Sequence, residues 1–402
     1  MSWSTGWTVL PALPSGGDTF AYAISDTGVV VGSAYNASGV LHPVYWTAAG
    51  GIVDLGLLPA APVGAYGEAY SVSSDGTTIV GFAGTVSNTQ AFRWTAGGGM
   101  VALEAHFSFG RAVSTDGSVV AGNFGANPFV WTAADGIILD TRPGFVTAGN
   151  VSLSPDGTRL VMPDMIGNYW SWTQAGGWID TGVATDGLFA WSAGPIVGND
   201  GTIFQIGGST TDALLQPIVL SGALVTISTP PVGQTVSFAA AATLDQSTRI
   251  VGYYSGDAGL TAWYWTASGG VTTIANPTGY VNPNLDTAAR PSMSADGGAF
   301  VATIEDVATN GTHGAIYVFA AAPLPTARVA NPPKVFLRWS DDGGRSYGNP
   351  IGISMGDTGE YLTSCQWQRL GMGRRRVFEI SWSGATATAL LGAWIDSNPA
   401  QS

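Results

Sequence analysis

The chain has 402 residues, 57 of them glycine and 15 tryptophan, with 10% charged residues and a formal net charge of −13. That length allows two or more domains or one large repeat assembly, and the composition excludes a disordered chain. No run of roughly 18 apolar residues predicts a membrane-spanning helix, and one cysteine, Cys365, excludes an intrachain disulfide or a zinc site built from cysteines.

The opening "MSWSTGWTVL" has neither a basic start nor an apolar stretch, so no secretory signal is expected. The phrase "GWTVLPALP" at Gly6 matches the later half of a longer pattern, seen whole in "HPVYWTAAGGIVDLG" (His42–Gly56). The earlier half of that pattern is "AYAISDTGVVVG" (Ala21–Gly32). It returns as "AYSVSSDGTTIVG" (Ala69–Gly81), "RAVSTDGSVVAG" (Arg111–Gly122) and "VSLSPDGTRLVM" (Val151–Met162). Weaker copies begin at Gly194, Ala241 and Pro291. Each is an alternating run, an Asp-Gly type turn and a Val-rich run, the signature of a β-hairpin.

The later half recurs as "QAFRWTAGGGMVAL", "NPFVWTAADGIIL", "NYWSWTQAGGWIDTG" and "TAWYWTASGGVTTI", with a degenerate "QPIVLSGALVTI" after the fifth hairpin. An aromatic strand ends in Trp-Thr, a Gly-rich turn follows, and a second apolar strand leaves. Four short strands in about 40 to 50 residues is the period of a propeller blade. The seventh unit stops after its third strand, "GAIYVFAAAPLP", and lacks a fourth. The orphan at Gly6 is expected to supply it by pairing beside Ala315–Phe319, because an unpaired edge is a liability. The expected fold is therefore all-β. Residues 1–320 form a seven-bladed β-propeller closed by the N-terminal strand, 321–334 a Pro-rich linker, and 335–402 a small C-terminal β extension.

These units resemble the HAF repeat, a bacterial propeller-type repeat named for a His-Ala-Phe stretch before a tryptophan. The resembling words are "HPVYW", "QAFRW", "NPFVW", "NYWSW" and "TAWYW", and only His42 keeps the histidine. The resemblance spans roughly residues 6–320 and speaks for a fold rather than an activity.

Several constellations invite a chemical reading. His42 and His313 flank third strands that ring closure would make neighbours, but no further donor is in place for a metal, and His106 lies elsewhere in the register. Asp75, Asp116, Asp156, Asp200 and Asp296 supply one carboxylate per turn, which suits hairpin geometry better than a calcium loop. Trp46, Trp94, Trp131, Trp172 and Trp265 fall at one equivalent place per unit. Packing between blades is the expected role, and a glycan-stacking platform is the alternative. No metal, cofactor or catalytic residue is predicted.

In the tail, "SDDGGRSY" (Ser340–Tyr347) fits the Asp-box pattern. Asp342 would bond turn amides, Ser340 opens the turn, Gly344 permits positive φ and Tyr347 anchors the tip. Asp-boxes occur in sialidases, yet a sialidase needs a spread trio of arginines and a Tyr/Glu pair. Only six arginines lie before residue 321. Beyond the Asp-box, "RWSDDGGRSYG", "GEYLTSCQWQRLGMGRRRVFEISWS" and "ALLGA" resemble the C-terminal signature of the nozzle or hub protein of short-tailed phages, also called the packaged-DNA stabilisation protein. "GMGRRRVFE" (Gly371–Glu379) is more basic than that signature.

The resemblance implies a structural, non-enzymatic virion protein. It would be made in the host cytoplasm and assembled as a ring, of six subunits, at the distal end of a tail. The ring would extend the DNA channel below the tail adaptor, retain the genome and let it exit on infection. Partners would be further copies, the adaptor, other tail or fibre proteins and the host outer surface, with DNA passing unbound. Up to residue 320 there are 21 acidic and 6 basic residues; from 321 there are 6 and 8. An acidic body suits a conduit that does not hold phosphate. Arg374, Arg375 and Arg376, with Trp367 and Arg369 just upstream, are the candidate interaction residues. A solvated turn, an inter-subunit ion pair and a DNA contact remain open for the arginines. The alternatives to this function are a receptor- or glycan-binding propeller and a sialidase-type glycosidase.

Overall fold

The computed structural model describes the chain apart from residues 1–2, 60, 104–106, 126, 140–150, 164–167, 185–195, 198–202, 206–217, 220–235, 243–248, 257–258, 267–268, 285–291, 320–333, 343–344, 347–350, 355–375 and 384–402. It divides into two compact units, Met1–Thr326 and Ala327–Ser402. All described helix or strand elements are strands, so the all-β expectation holds, and no described helix is long and apolar enough to cross a membrane.

In the first unit the strands form antiparallel meanders. Sheet 1 runs Thr19–Ile24, Val30–Tyr35, Leu41–Thr47, Gly51–Asp54. Sheet 2 runs Tyr66–Val72, Thr78–Thr85, Asn88–Thr95, Gly99–Ala102, and sheet 3 Ser108–Val113, Val119–Phe124, Asn127–Thr132, Gly136–Leu139. Sheet 4 runs Ser152–Leu153, Arg159–Pro163, Asn168–Thr173, Gly177–Ala184. Sheet 5 has three described strands, Ile196–Val197, Ile203–Gln205 and Ile218–Val219. Sheet 6 runs Val236–Ala242, Ile250–Gly256, Gly259–Thr266, Gly270–Thr273. Sheet 7 combines Tyr280–Asn284, Ala299–Asp306, Thr312–Val318 and, from the other end of the sequence, Gly6–Val9. Gly6 faces Val318, Trp7 faces Tyr317, Thr8 faces Ile316 and Val9 faces Ala315, the pairing the orphan fragment predicts.

Sheet 7 also departs from expectation. Its first strand is Tyr280–Asn284, paired with the end of Ala299–Asp306, and the predicted start near Pro291 is only an isolated Met293–Phe300 bridge. Pro283 lacks a backbone donor, which an edge strand tolerates.

The repeated words have a local logic. In the Ser-x-Asp-Gly turns the Ser73, Ser114, Ser154 and Ser294 hydroxyls donate to Asp75, Asp116, Asp156 and Asp296 at 2.6–2.7 Å. The same serine oxygens accept the backbone N–H that opens the next strand, from Thr78, Val119, Arg159 and Ala299, at 3.0 Å. Burial pushes Asp75 and Asp116 up, but the serine hydroxyl and the turn amide outweigh it and hold both below the usual carboxylate range. The Trp-Thr words close the other turn. Thr47, Thr95, Thr132, Thr173 and Thr266 each accept the N–H three residues on, at 2.9–3.1 Å.

Successive turns are also tied to one another. Asp26 N–H donates to Ser74 O, Ser74 N–H to Thr115 O and Thr115 N–H to Pro155 O, linking sheets 1 to 4. Asp296 N–H reaches Asp26 Oδ1 at 3.3 Å, which links sheet 7 to sheet 1, and Arg249 Nη1 donates to Gly297 O at 2.6 Å from sheet 6. Gly117 holds positive φ (73°), and a Cβ there would lie 2.4 Å from the Thr78 hydroxyl of the preceding sheet. The turn glycine thus serves the sheet-to-sheet contact as well as the turn.

Apolar side chains fill the spaces between sheets. Trp46 is fully buried, with Nε1 donating to Pro11 O at 2.8 Å. Trp172 is also buried, and Trp94 packs against Tyr45 of sheet 1 at 5.5 Å between ring centroids. In the second unit, Lys334–Ser340 lies between Ile351–Ser354 and Val377–Ser383 in a three-stranded antiparallel sheet.

Candidate functional site

The C-terminal tip follows directly from the strand Lys334–Ser340. Ser340, its last residue, is buried and donates to Asp342 Oδ1 at 2.5 Å. The same oxygen accepts the Arg345 and Ser346 amides at 2.8 and 2.9 Å, and Oδ2 accepts the Ser346 hydroxyl at 2.6 Å. The Ser340 and Ser346 hydroxyls hold the Asp342 carboxyl far below its usual range. A carboxylate engaged by four donors is committed to the turn; it is poorly placed to exchange protons at neutral pH.

Beside it, Arg376 forks onto Asp341, with Nε and Nη2 at 2.6 and 2.9 Å from the two carboxylate oxygens, and sits 5.4 Å from the Trp339 ring centroid. The Arg376 side chain is only 10% exposed against 53% for Asp341, so this member of the arginine run is turned into its own unit. Asp341 is held low by that arginine. Arg338 and Glu379 form a second fork, both bonds 2.8 Å. Gly344, Tyr347, Trp367, Arg369, Arg374 and Arg375 lie outside the described residues.

The histidines separate. His42 meets Asp54 at 2.9 Å through Nδ1 and Asn36 at 3.2 Å through Nε2, whereas His313 stands edge-on to Tyr280. Among the described residues no group of three or more His, Cys, Asp and Glu is placed to hold a metal ion.

Sequence reasoning missed a polar ladder on the first strands of sheets 1 to 3. Each of these strands carries a β-bulge at the same place, at Tyr22, Tyr70 and Arg111. A bulge re-aims its side chain. The Tyr22 and Tyr70 rings lie 5.7 Å apart, and the Arg111 guanidinium is 4.7 Å from the Tyr70 ring centroid. Glu68 lies close enough to both tyrosines and to Arg111 to feel them electrostatically. Burial raises its pKa, and the neighbouring Tyr22 hydroxyl and Arg111 charge only partly offset that. The signal was present: Arg111 replaces the tyrosine that the first two repeats carry.

A raised acid pKa gives stability that is complete below the unfolded value and lost as pH climbs through the folded one. Replacing Glu68 with Gln should therefore stabilise the protein relative to wild type progressively as pH rises above the ordinary glutamate range of about 4. Denaturant melts at increasing pH test this; a variant that falls behind wild type as pH rises would show that Arg111 rewards the charge more than burial penalises it.

Residues 293–397 match the family model described as Bacteriophage P22 Gp10, beta-sandwich. The match is confined to a minority of the 402-residue chain; it takes in the last two strands of the first unit that precede Thr326 and all described strands of the second. No curated protein matches the chain. Similar solved structures include a chain of a mitotic checkpoint complex, 14% identical with a TM-score of 0.48, covering 80% of this chain and 94% of that one. The Cps50 (Swd1) β-propeller domain of Myceliophteria thermophila is 10% identical at 0.47, covering 78% and 100%. An oligogalacturonate lyase of Vibrio parahaemolyticus is 12% identical at 0.41, covering 77% and 86%. All three lie below a TM-score of 0.5, too distant to carry an argument about this chain.

Proposed function

We propose that this protein is a structural component of a bacteriophage tail: a nozzle-like ring subunit with a seven-bladed propeller body and a C-terminal β module. The family-model match over residues 293–397 carries the reading. Support for the propeller comes from the order of contacts. Sheets 6, 7, 1, 2, 3, 4 and 5 touch in succession, and the first strands of sheets 1 to 5 approach one another, as strands around an axis do. The Gly6–Val9 strand then acts as the clasp of the ring of sheets. The HAF-repeat resemblance rests on the sequence words alone.

In this proposal copies of the chain form a closed ring, of six subunits, against a tail adaptor, and the genome passes along the ring axis without specific contacts. The charge distribution suits that role. Residues before 321 contain no lysine. Two of their arginines are engaged within the fold by short bonds: Arg159 donates to Ser171 at 2.8 Å and Arg249 to Gly297 O at 2.6 Å. Cations held this way are poor phosphate ligands, and the acidic surround repels DNA. No catalysis is assigned, and turnover of a fluorogenic sialoside would overturn that part.

The test is to co-express the full chain with its cognate tail adaptor and image the product by negative stain. Rings capping the adaptor are expected. Discs that stay single in the presence of assembled adaptor would overturn the tail role.

A further inference from the structure

Between the turns of sheets 2 and 3 lies a cleft of 450 Å³, and Tyr45 of sheet 1 contributes to its wall. That volume is within the range of about 300–1,000 Å³ typical of small-molecule sites. Tyr45 and Trp94 bring aromatic surface, Thr77 and Thr95 bring hydroxyls, and Arg93 and Asp116 bring opposite charges.

Two observations separate this cleft from the structural logic of the repeat. First, Arg93 breaks the pattern: the equivalent residue is Tyr45, Val130, Ser171 or Tyr264 in the other units. Its guanidinium is incompletely used. Nη2 makes only two long bonds, 3.3 Å to Thr78 Oγ1 and 3.4 Å to Gly117 O, while Nε is buried without a partner and leaves the Nη atoms as the donors a ligand could reach. Second, Asp116 receives all three of its hydrogen bonds, from the Ser114 hydroxyl and from the amide and hydroxyl of Ser118, on Oδ1. In the preceding sheet Thr77 bonds both oxygens of Asp75. Asp116 therefore keeps one carboxylate oxygen with its lone pairs free. Arg93 and Asp116 line the same cleft, yet no ion pair joins them.

We propose that this cleft binds a saccharide. A sugar ring presents hydroxyls that donate to a carboxylate and accept from a guanidinium, and its C–H faces pack on aromatic rings. One pyranose can thus engage the acceptor of Asp116, the donors of Arg93 and the Tyr45–Trp94 wall together. Opposite charges that stay apart across an open cleft are satisfied by a ligand offering both polarities. The site stands independently of the tail reading, since ring assembly and sugar binding can each fail without the other.

The experiment is saturation-transfer NMR, with affinity by calorimetry, on the full chain. The probes are methyl glycosides of glucose, mannose and galactose, N-acetylglucosamine, and glycine as a zwitterion of the same polarity. At least one sugar should bind saturably with a millimolar Kd. Asp116→Asn keeps the Oδ1 acceptor that the turn needs, and Arg93→Met keeps the apolar stem. Each should weaken binding by about tenfold or more, because a directed hydrogen bond to a charged group is lost. Should Arg93→Met fail to fold, Asp116→Asn decides alone. Wild type that binds none of the sugars, glycine bound in their place, or undiminished affinity in the folded variants would each overturn the proposal.

Discussion

Removing Met1–Pro14 should collapse the cooperative unfolding of the first unit, lowering its melting temperature by about 10 °C or more or leaving the protein insoluble. The segment is short but its contacts are long-range. Trp7 packs edge-on against Phe300 and Tyr317 at 5.4 and 5.1 Å and donates Nε1 to Ala275 O at 2.8 Å. Leu10 is 1% exposed within the core shared by sheets 1 and 7, and its N–H bonds Gly314 O. Truncating one buried leucine costs about 2–5 kcal/mol and one tryptophan about 3–5. A domain has only about 5–15 kcal/mol to lose. Deletion also strips one of the two partners from Thr312–Val318 and exposes a new sheet edge, which favours aggregation. A calorimetric melt within 2 °C of wild type, on the order of 1 kcal/mol or less, would mean that the clasp contributes nothing beyond its length. Trp7→Ala alone should show a graded loss of about 3 kcal/mol, since the backbone pairing survives it.

Much of this fold was legible because the chain states its rule several times. Ser-x-Asp-Gly and Trp-Thr-x-x-x-Gly encode their own hydrogen bonds, so the turn is fixed wherever the word appears. The orphan strand was legible for a different reason: a count of strands left one surplus at Gly6 and one deficit after Phe319. What escaped was whatever the repeat does not determine. The strand Tyr280–Asn284 carries a proline and no alternation, so periodicity passed over it. The bulge at Tyr22, Tyr70 and Arg111 changes which way a side chain points without changing composition, so no pattern in the letters marks it. The Arg376–Asp341 fork joins residues 35 positions apart, and its geometry depends on the pairing of Ser340 with Val377. A run of three arginines reads as one patch, and the letters do not say that Arg376 turns to Asp341 with its side chain only 10% exposed.

The second large effect separates two glycines that the sequence words make look alike. Gly51 recurs in every clear copy of its repeat half, and Gly32 in three of its four, Met162 standing in the fourth. Gly51 holds φ at +67°, with nothing within 4 Å of where a Cβ would stand. Gly51→Ala should therefore cost only the left-handed strain, about 1 kcal/mol. Gly32 faces the bulge of the neighbouring strand, and a Cβ there would lie 1.9 Å from Phe20 O and 3.1 Å from Ala21 Cα. The equivalents Gly81 and Gly122 are as tight, at 2.0 Å from Glu68 O and 2.1 Å from Phe109 O. Backbone cannot swing aside as a side chain can. Gly32→Ala must either part the first two strands of sheet 1 or erase the bulge that aims Tyr22 at Tyr70. We expect a loss of about 3 kcal/mol or more, at the upper end for overpacking, together with loss of the Tyr22–Ser33 hydrogen bond of 2.9 Å. Parallel urea titrations of the two variants measure the contrast. Equal midpoints would show that the recurring glycine of the second strand is there for chain flexibility and not for close approach, and the bulge would then cease to explain the ladder of Tyr22, Tyr70 and Arg111.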